Sequence, residues 1–510
     1  MRMTNFLIIL TVSLLILTGC VRSAPDSPEW KPGSVPSYPT KNFYVGTTPT
    51  PSFSLPPIRI PGSLILTPTP DDAHTPSIQL SNPEQYTVLP GDTLGLIARQ
   101  FSISVDSLMI ANNLDDPNTL YVGQVLSIPQ ISIQDIGSAF KIIPDSELVL
   151  GPMSITFDTG VIIQEYGGYL SNYHEDVDGR NLDGTQIIKL VSQNYSVNPR
   201  LLLAIVEYRS GWLTKSQPAS STLDYPMGYY DNWHIGLYRQ LTWAANTLNR
   251  GFYLWKVDAL PNVVLADGIL VPLDPTINPG TAALQSLFAN LDDYLKWQVD
   301  VSPDGFFSFF TNLFGYPFDF AIEPLVPADL IQPEMVLPFE KNLVWAYTGG
   351  PHGGWDSGSA WAAIDFAPPG EAQGCVTSNA WVSAVADGLI VRSNNGAVIQ
   401  DLDGDGFEQT GWSVLYMHID GIDRVTEGIY LLAGDKIGHP SCEGGVSNGT
   451  HVHLARKFNG EWIPADGSVP FDLEGWISSG TGVEYDGYLT RNGQQVEAFD
   501  GNNPINQIQR

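Results

Sequence analysis

The sequence predicts a multidomain protein with a small βααβ module, a mostly helical middle domain and an antiparallel all-β C-terminal domain. Three observations carry this expectation. The chain has 510 residues, too many for one hydrophobic core. Its N-terminal part, 21–82, is rich in Pro, Ser and Thr ("KPGSVPSYPT", "TPTPDDAHTP") and cannot bury enough apolar surface to offset its ordering entropy, so it reads as a disordered stalk. From about Leu337 the texture then changes from helical periodicity to short strands punctuated by Gly, Pro, Asp and Asn.

Composition narrows the partners. The net charge is -30, from 24 Lys+Arg against 54 Asp+Glu. Binding to nucleic acid needs a basic surface to neutralise phosphates, so it is not expected.

Residues 1–20 read as an address. A positive start is followed by the apolar run Phe6 to Leu17, too short to span a bilayer as a stable helix, and then by Leu17-Thr18-Gly19-Cys20. This resembles a bacterial lipoprotein signal, which implies acylation of Cys20 and an extracytoplasmic, membrane-tethered location; the alternative is a plain anchor helix. Cys375 and Cys442 remain, either as one disulfide or as two buried thiols.

Within 85–130, Tyr86 to Val88 reads as a strand and Pro90-Gly91-Asp92 as turn and cap chemistry. Leu94, Ile97, Ala98 and Phe101 share one helical face, Ser107 to Asn112 forms a second helix, and Val125 to Ile128 a closing strand. With its "VLPGDTL", "LMIANNL" and "VGQVLSIP" segments the module resembles a LysM domain. That resemblance implies binding to the N-acetylglucosamine backbone of peptidoglycan or chitin, in a groove near Gly91, Asp92, Thr93 and Leu94 on one side and Asn113, Leu114 and Asp115 on the other.

Residues 151–327 are expected to be helical: Asp183 caps "TQIIKLVSQNYS" and Asn198-Pro199 starts "RLLLAIVEYRSGWL". The segment "AIVEYRSG" is faintly similar to the catalytic helix of lysozyme-type domains. Arg209 stands where the acid belongs, however, and Glu207 lies about 200° around the helix from that face, so the chemistry is expected to be lost. The acidic loop "HEDVDGRNLDG", 174–184, reads as solvated turn residues and a helix cap.

Five of the eight histidines fall in 337–478: His352, His418, His439, His451 and His453. On a strand, residues i and i+2 share a face, so His451 and His453 of "GTHVHLA" can enter one site. Together with "GGPHGGW", "AAIDFAPP", "AVADGLIV", "VLYMHI" and "GDKIG", this set resembles the lysostaphin and beta-lytic zinc endopeptidases, the LytM-like Peptidase M twenty-three family. The resemblance implies zinc held by His352, Asp365 and His453, proton transfer by His418 and His451, and cleavage of peptide bonds in peptidoglycan. Most of that family places the first ligand four residues before the Asp, where this chain has Trp361. In the beta-lytic branch the His stands upstream in a glycine-rich loop, as His352 does, 365 − 352 = 13 residues before Asp365. The competing reading is a non-catalytic peptidoglycan-binding scaffold with a silent peptidase fold.

Two features stay open. "DLDGDGFEQ" is either a calcium site using Asp401, Asp403, Asp405 and Glu408 or a plain acidic hairpin turn, since Trp412 occupies the twelfth position of an EF-hand-type loop. His439 reads as a loop residue near Cys442, and 479–510 as a polar tail.

Overall fold

The structure, a computed structural model, describes residues 74, 85–89, 92–101, 105–112, 114, 120–128, 136–370 and 374–510. The expected lipid signal with Cys20, the stalk apart from His74, and Gly91, Asn113 and Asp115 lie outside them. Among the described residues no helix is long and apolar enough to cross a membrane.

In the first module β1 (Gln85–Thr87) pairs antiparallel with β2 (Val125–Ser127), flanking α1 (Leu94–Gln100) and α2 (Val105–Ala111). Its core joins Val88, Leu94, Ile97, Ala98, Phe101, Leu108, Leu126 and Ile128. Asp92 fixes the turn into α1, accepting hydrogen bonds from the Tyr86 hydroxyl (2.8 Å) and the Leu89 N–H (2.7 Å), and the Asn112 side chain ties α2 to Ser127 of β2. Leu94, expected on the groove rim, is instead a core side chain: it lies on the same helical face as Ile97 and Ala98, which faces inward.

The middle region holds α3 (Asp145–Leu148), α4 (Thr159–Tyr166), α5 (Gly184–Tyr195), α6 (Pro199–Ser210), α7 (Leu237–Lys256), α8 (Pro279–Ala289), α9 (Tyr294–Asp300) and α10 (Ser308–Phe314). Two small hairpins interrupt it, β3 (His174–Val177) with β4 (Arg180–Asp183) and β5 (Asn262–Val264) with β6 (Leu270–Pro272). Asp183 forms a capping box with Gln186, which starts α5, and Asn198 caps α6 ahead of Pro199. Helices α7 and α8 pack so closely that a Cβ on Gly251 would sit 2.7 Å from the Ala283 Cα, so only glycine fits there.

The C-terminal strands are β7 (Val344–His352), β8 (Ala363–Ala367), β9 (Val382–Ser383), β10 (Gly388–Asn394), β11 (Ala397–Asp401), β12 (Trp412–Met417), β13 (Tyr430–Leu431), β14 (Lys436–Gly438), β15 (Val452–Phe458), β16 (Glu461–Trp462), β17 (Asp472–Leu473), β18 (Trp476–Gly480), β19 (Gly487–Arg491), β20 (Gln494–Glu497) and β21 (Gln507–Gln509). The main antiparallel sheet runs β13-β10-β11-β12-β15-β8-β7-β21, with β16 on β15. A second sheet runs β17-β18-β19-β20. Residues 479–510, read from sequence as a polar tail, thus supply β19, β20 and the edge strand β21, which pairs Ile508 with Trp345 of β7.

Both faces of the main sheet are covered. Ile364, Val398, Val414, Tyr416 and Leu454 pack into one core, whereas Ala363, Ile399, Leu415, Ala455 and Trp462 belong to the same apolar cluster as the helical region. Every residue of β12 is therefore buried, and the polar alternation of a half-solvated strand is missing.

Cys375 and Cys442 form a disulfide with a Cα–Cα distance of 5.7 Å, which settles the pairing left open by the sequence. It closes a loop of 67 residues. Cys375→Ser is expected to lower the unfolding free energy by about 2–4 kcal/mol, measured by denaturant titration, mainly by freeing the unfolded chain.

Candidate metal centre

The register of the sheet assembles the site. His453 of β15 stands opposite Asp365 of β8, which in turn pairs with Gly349 of β7. His352 ends β7 opposite Ala363, after two register shifts, so this neighbouring strand delivers the histidine that the sequence of β8 itself lacks. A Cβ on Gly349 would lie 2.7 Å from Asp365 Oδ2, so that glycine makes room for the carboxylate. His418 follows β12 with a left-handed φ of 64°, and His451 leads into β15.

Three atoms converge: His352 Nε2 and His453 Nδ1 are 3.0 Å apart, and they lie 3.3 and 3.2 Å from Asp365 Oδ1. Each ring's other nitrogen faces a backbone carbonyl, His352 Nδ1 at 2.7 Å from Gly350 O and His453 Nε2 at 3.1 Å from Gly354 O. A carbonyl only accepts, so those nitrogens carry the protons and the converging ones present lone pairs. Asp365 Oδ1 is buried and has no hydrogen-bond donor despite these short distances.

Three acceptors facing one another in a buried pocket need a cation between them. Tetrahedral zinc with bonds of about 2.0–2.1 Å spaces its ligand atoms about 3.3 Å apart, so His352, Asp365 and His453 fit that ion, and the carbonyls orient both rings from outside. The electrostatics agree with a site built for positive charge. Burial alone would raise the Asp365 carboxyl, but the His352 and His451 imidazoles hold it well below the usual carboxylate range. Burial pushes His453 down, whereas at His352 the Asp365 carboxylate outweighs burial and the net direction is up.

His418 and His451 sit beside this triad, their ring centroids 4.5 Å apart. Nδ1 of His418 lies 3.2 Å from Glu443 O and Nδ1 of His451 2.7 Å from Gly449 O, which leaves both Nε2 atoms facing inward. His451 Nε2 is 3.8 Å from Asp365 Oδ2. Burial foremost, and then the neighbouring imidazoles, push His418 down to about 3, so it is a neutral acceptor at ordinary pH. All five residues named from sequence thus line one cleft of about 2180 Å³.

Sequence reading did not find Tyr485, whose ring stacks on His352 with centroids 4.2 Å apart. It sits in the turn between β18 and β19 and carries no local signature. It also did not find Asp178, Arg180, Tyr195 and Tyr238 of the helical region, which form one wall of the cleft.

The other candidates have structural partners. Asp401, Asp403 and Asp405 do come together, their oxygens within 4.8 Å of one another, and burial with the neighbouring carboxylates raises Asp401 to about 7. Their oxygens also accept backbone N–H groups of Asp403, Asp405, Gly406 and Phe407. Glu408 is not part of that set, because Arg392 (3.2 Å) and Lys457 (2.8 Å) engage it in a buried triad. Burial would raise Glu408, but the two cations hold it at about 2, down from an ordinary 4.5, so its contribution is present above about pH 4.5 and is lost as pH falls toward 2. Glu408→Gln, which leaves two buried cations unpaired, should cost about 3–5 kcal/mol in denaturant unfolding at neutral pH. His439 packs on Trp381 and bonds Ala380 O. Glu207 accepts the Leu213 and Thr214 N–H groups, and Arg209 binds Asp292 through two oxygens at 2.8 and 2.9 Å, so both hold the fold of the helical region. In the acidic loop 174–184, Asp176 accepts from Gly179 N–H and Asp183 caps α5.

Residues 86–129 match the family described as LysM domain, and residues 141–327 match the family described as LasA, N-terminal domain. Protease LasA of Pseudomonas aeruginosa is 24% identical over 306 residues, covering 56% of this chain and 69% of that protein. The chain thus carries a LysM domain ahead of a region that matches the LasA N-terminal family. The LysM domain is also 49% identical over 45 residues to the N-acetylmuramoyl-L-alanine amidase XlyA of Bacillus subtilis, covering 9% of this chain and 15% of that protein. The middle region, read from sequence as helical and faintly similar to lysozyme-type domains, is the part that matches the LasA N-terminal family. Similar solved structures include the M23 metalloprotease pseudoalterin from the deep sea (24% identity, 36% of this chain, 100% of that chain, TM-score 0.29). The catalytic domain of lysostaphin from Staphylococcus simulans is another (25% identity, 24% of this chain, 90% of that chain, TM-score 0.18).

Proposed function

We propose that this protein is a zinc-dependent endopeptidase that cleaves peptide bonds of peptidoglycan while its LysM domain holds the glycan. The observation that carries this reading is the convergence of His352, Asp365 and His453 as three lone-pair donors, with the outer N–H groups of the two imidazoles already satisfied. When bound there, zinc supplies a Lewis acid that lowers the pKa of water and polarises the scissile carbonyl.

The chain's own residues do the rest. His418, held through Nδ1 and lining the cleft, is the group placed to take the proton of the attacking water. His451, held through Nδ1, donates from Nε2 to the developing oxyanion or the leaving nitrogen when Nε2 also carries a proton, as in the imidazolium. The Asp365 carboxylate supplies the negative charge that a cation held between the three converging atoms would balance. LysM binding raises the local concentration of stem and cross-bridge peptides around the cleft.

Purified peptidoglycan treated with the full chain should release new amino termini with no new reducing sugar ends. New reducing ends without new amines would assign the cleavage to a glycosidase and sink the proposal.

An extracytoplasmic location with lipid on Cys20 belongs to the same reading, supported by the apolar run before Leu17-Thr18-Gly19-Cys20 and by a disulfide suited to an oxidising compartment. Cys20→Ser should abolish incorporation of a clickable fatty acid; persistent labelling would remove the anchor from the proposal.

A further inference from the structure

The loop 353–362 between the two ligands His352 and Asp365 departs from the peptidase sheet, yet much of what holds it belongs to the helical domain. Tyr195, the last residue of α5, donates its hydroxyl to Asp356 Oδ2 (3.0 Å) and packs edge-on against Trp355. Asn246 of α7 accepts the Gly358 N–H through Oδ1 (2.7 Å) and donates its amide to Ser357 Oγ (3.3 Å). The approach is close enough that a Cβ on Gly358 would lie 2.1 Å from the Asn246 carbonyl oxygen. Behind the loop, a Cβ on Gly354 would meet the Trp462 ring at 2.7 Å. The backbone N–H of Trp462 donates to the Tyr253 hydroxyl (3.0 Å).

This loop reaches the metal centre at two points. His352 is its leading flank, and the Gly354 carbonyl accepts the His453 Nε2–H that fixes the ring's tautomer and aim. Three glycines, Gly353, Gly354 and Gly358, give the segment a backbone that would sample many conformations if left unheld.

We propose that Tyr195 and Asn246 are positioning residues: by holding the loop 353–362, the helical domain sets the Gly354 carbonyl and so the geometry of His352 and His453 as ligands. The inference rests on the zinc reading above. It also gives the thirteen-residue spacing a physical counterpart, since a ligand placed far upstream needs a support that a ligand four residues away on the same strand would not.

The test uses the full chain, with zinc affinity read by competition against a chromophoric chelator and loop mobility by hydrogen exchange of amides 353–359. Tyr195→Phe and Asn246→Leu should each weaken zinc binding about threefold and the pair about tenfold, at the lower end of what loss of an outer partner costs, with faster exchange in the loop. Asn246→Asp keeps the acceptor for Gly358 N–H and should restore affinity to the wild-type value. A zinc-binding wild type with an equally tight double variant overturns the bracing alone, and so does an Asn246→Asp variant as weak as Asn246→Leu. A wild type that binds no zinc overturns the metal reading and this one with it. If the double variant does not fold, Tyr195→Phe decides, because it removes one hydroxyl and keeps the ring; unchanged affinity and exchange there reject the proposal.

Discussion

His453→Ala is expected to lose zinc and peptidoglycan cleavage together, while the chain stays folded. In the proposed site the ring is a direct ligand at the centre of the sheet, opposite Asp365 on β8 and beside Met417 on β12. Its removal leaves two ligand residues, His352 and Asp365, and orphans the Gly354 carbonyl. The loss of affinity should therefore exceed the about 10–100-fold that removal of an outer partner costs. Zinc content after desalting and amine release from peptidoglycan are the measurements, with circular dichroism as the folding control. A His453→Ala protein that retains a full complement of zinc would place the ligand elsewhere.

His451→Ala should behave differently: zinc retained, cleavage reduced about 10²–10⁴-fold, the usual contribution of a positioned proton-transfer group. The distinction rests on geometry. His451 Nε2 stands 3.8 Å from Asp365 Oδ2, outside the 3.0–3.3 Å cluster, and its ring neighbours His418. Normal turnover in this variant would remove His451 from the chemistry, and loss of zinc would make it a ligand. In the proposed site the pair in "GTHVH" has two roles, because the two-residue step along the chain places one ring in the cluster and the other beside His418.

How much of this was legible in the sequence follows from where each interaction lies. The βααβ module and the starts of α5 and α6 were readable because their signals are local: an apolar face, an Asp-x-x-Gln capping box, a Pro in the first helical turn. The five residues named from the histidine-bearing motifs do come to one cleft, because the register of β7, β8, β12 and β15 brings their strands together. What was not legible depends on partners distant in the chain. Arg392 and Lys457 reach Glu408 from 16 and 49 residues away and so remove it from the acidic loop. Tyr195 meets Asp356 across 161 residues. Leu94 was placed on a groove rim by its motif, although its helical face turns inward. Residues 479–510 looked like a tail because β19, β20 and β21 are short, polar and glycine-spaced, yet they complete one sheet and edge the other.

Zinc content of the full chain, purified without chelator and assayed on peptidoglycan before and after chelation, bears most directly on the peptidase assignment. One zinc per chain, with amine release that stops on chelation and returns when zinc is restored, is the expected result. A folded, peptidoglycan-binding chain that carries no zinc, or cleaves equally well in chelator, would contradict it.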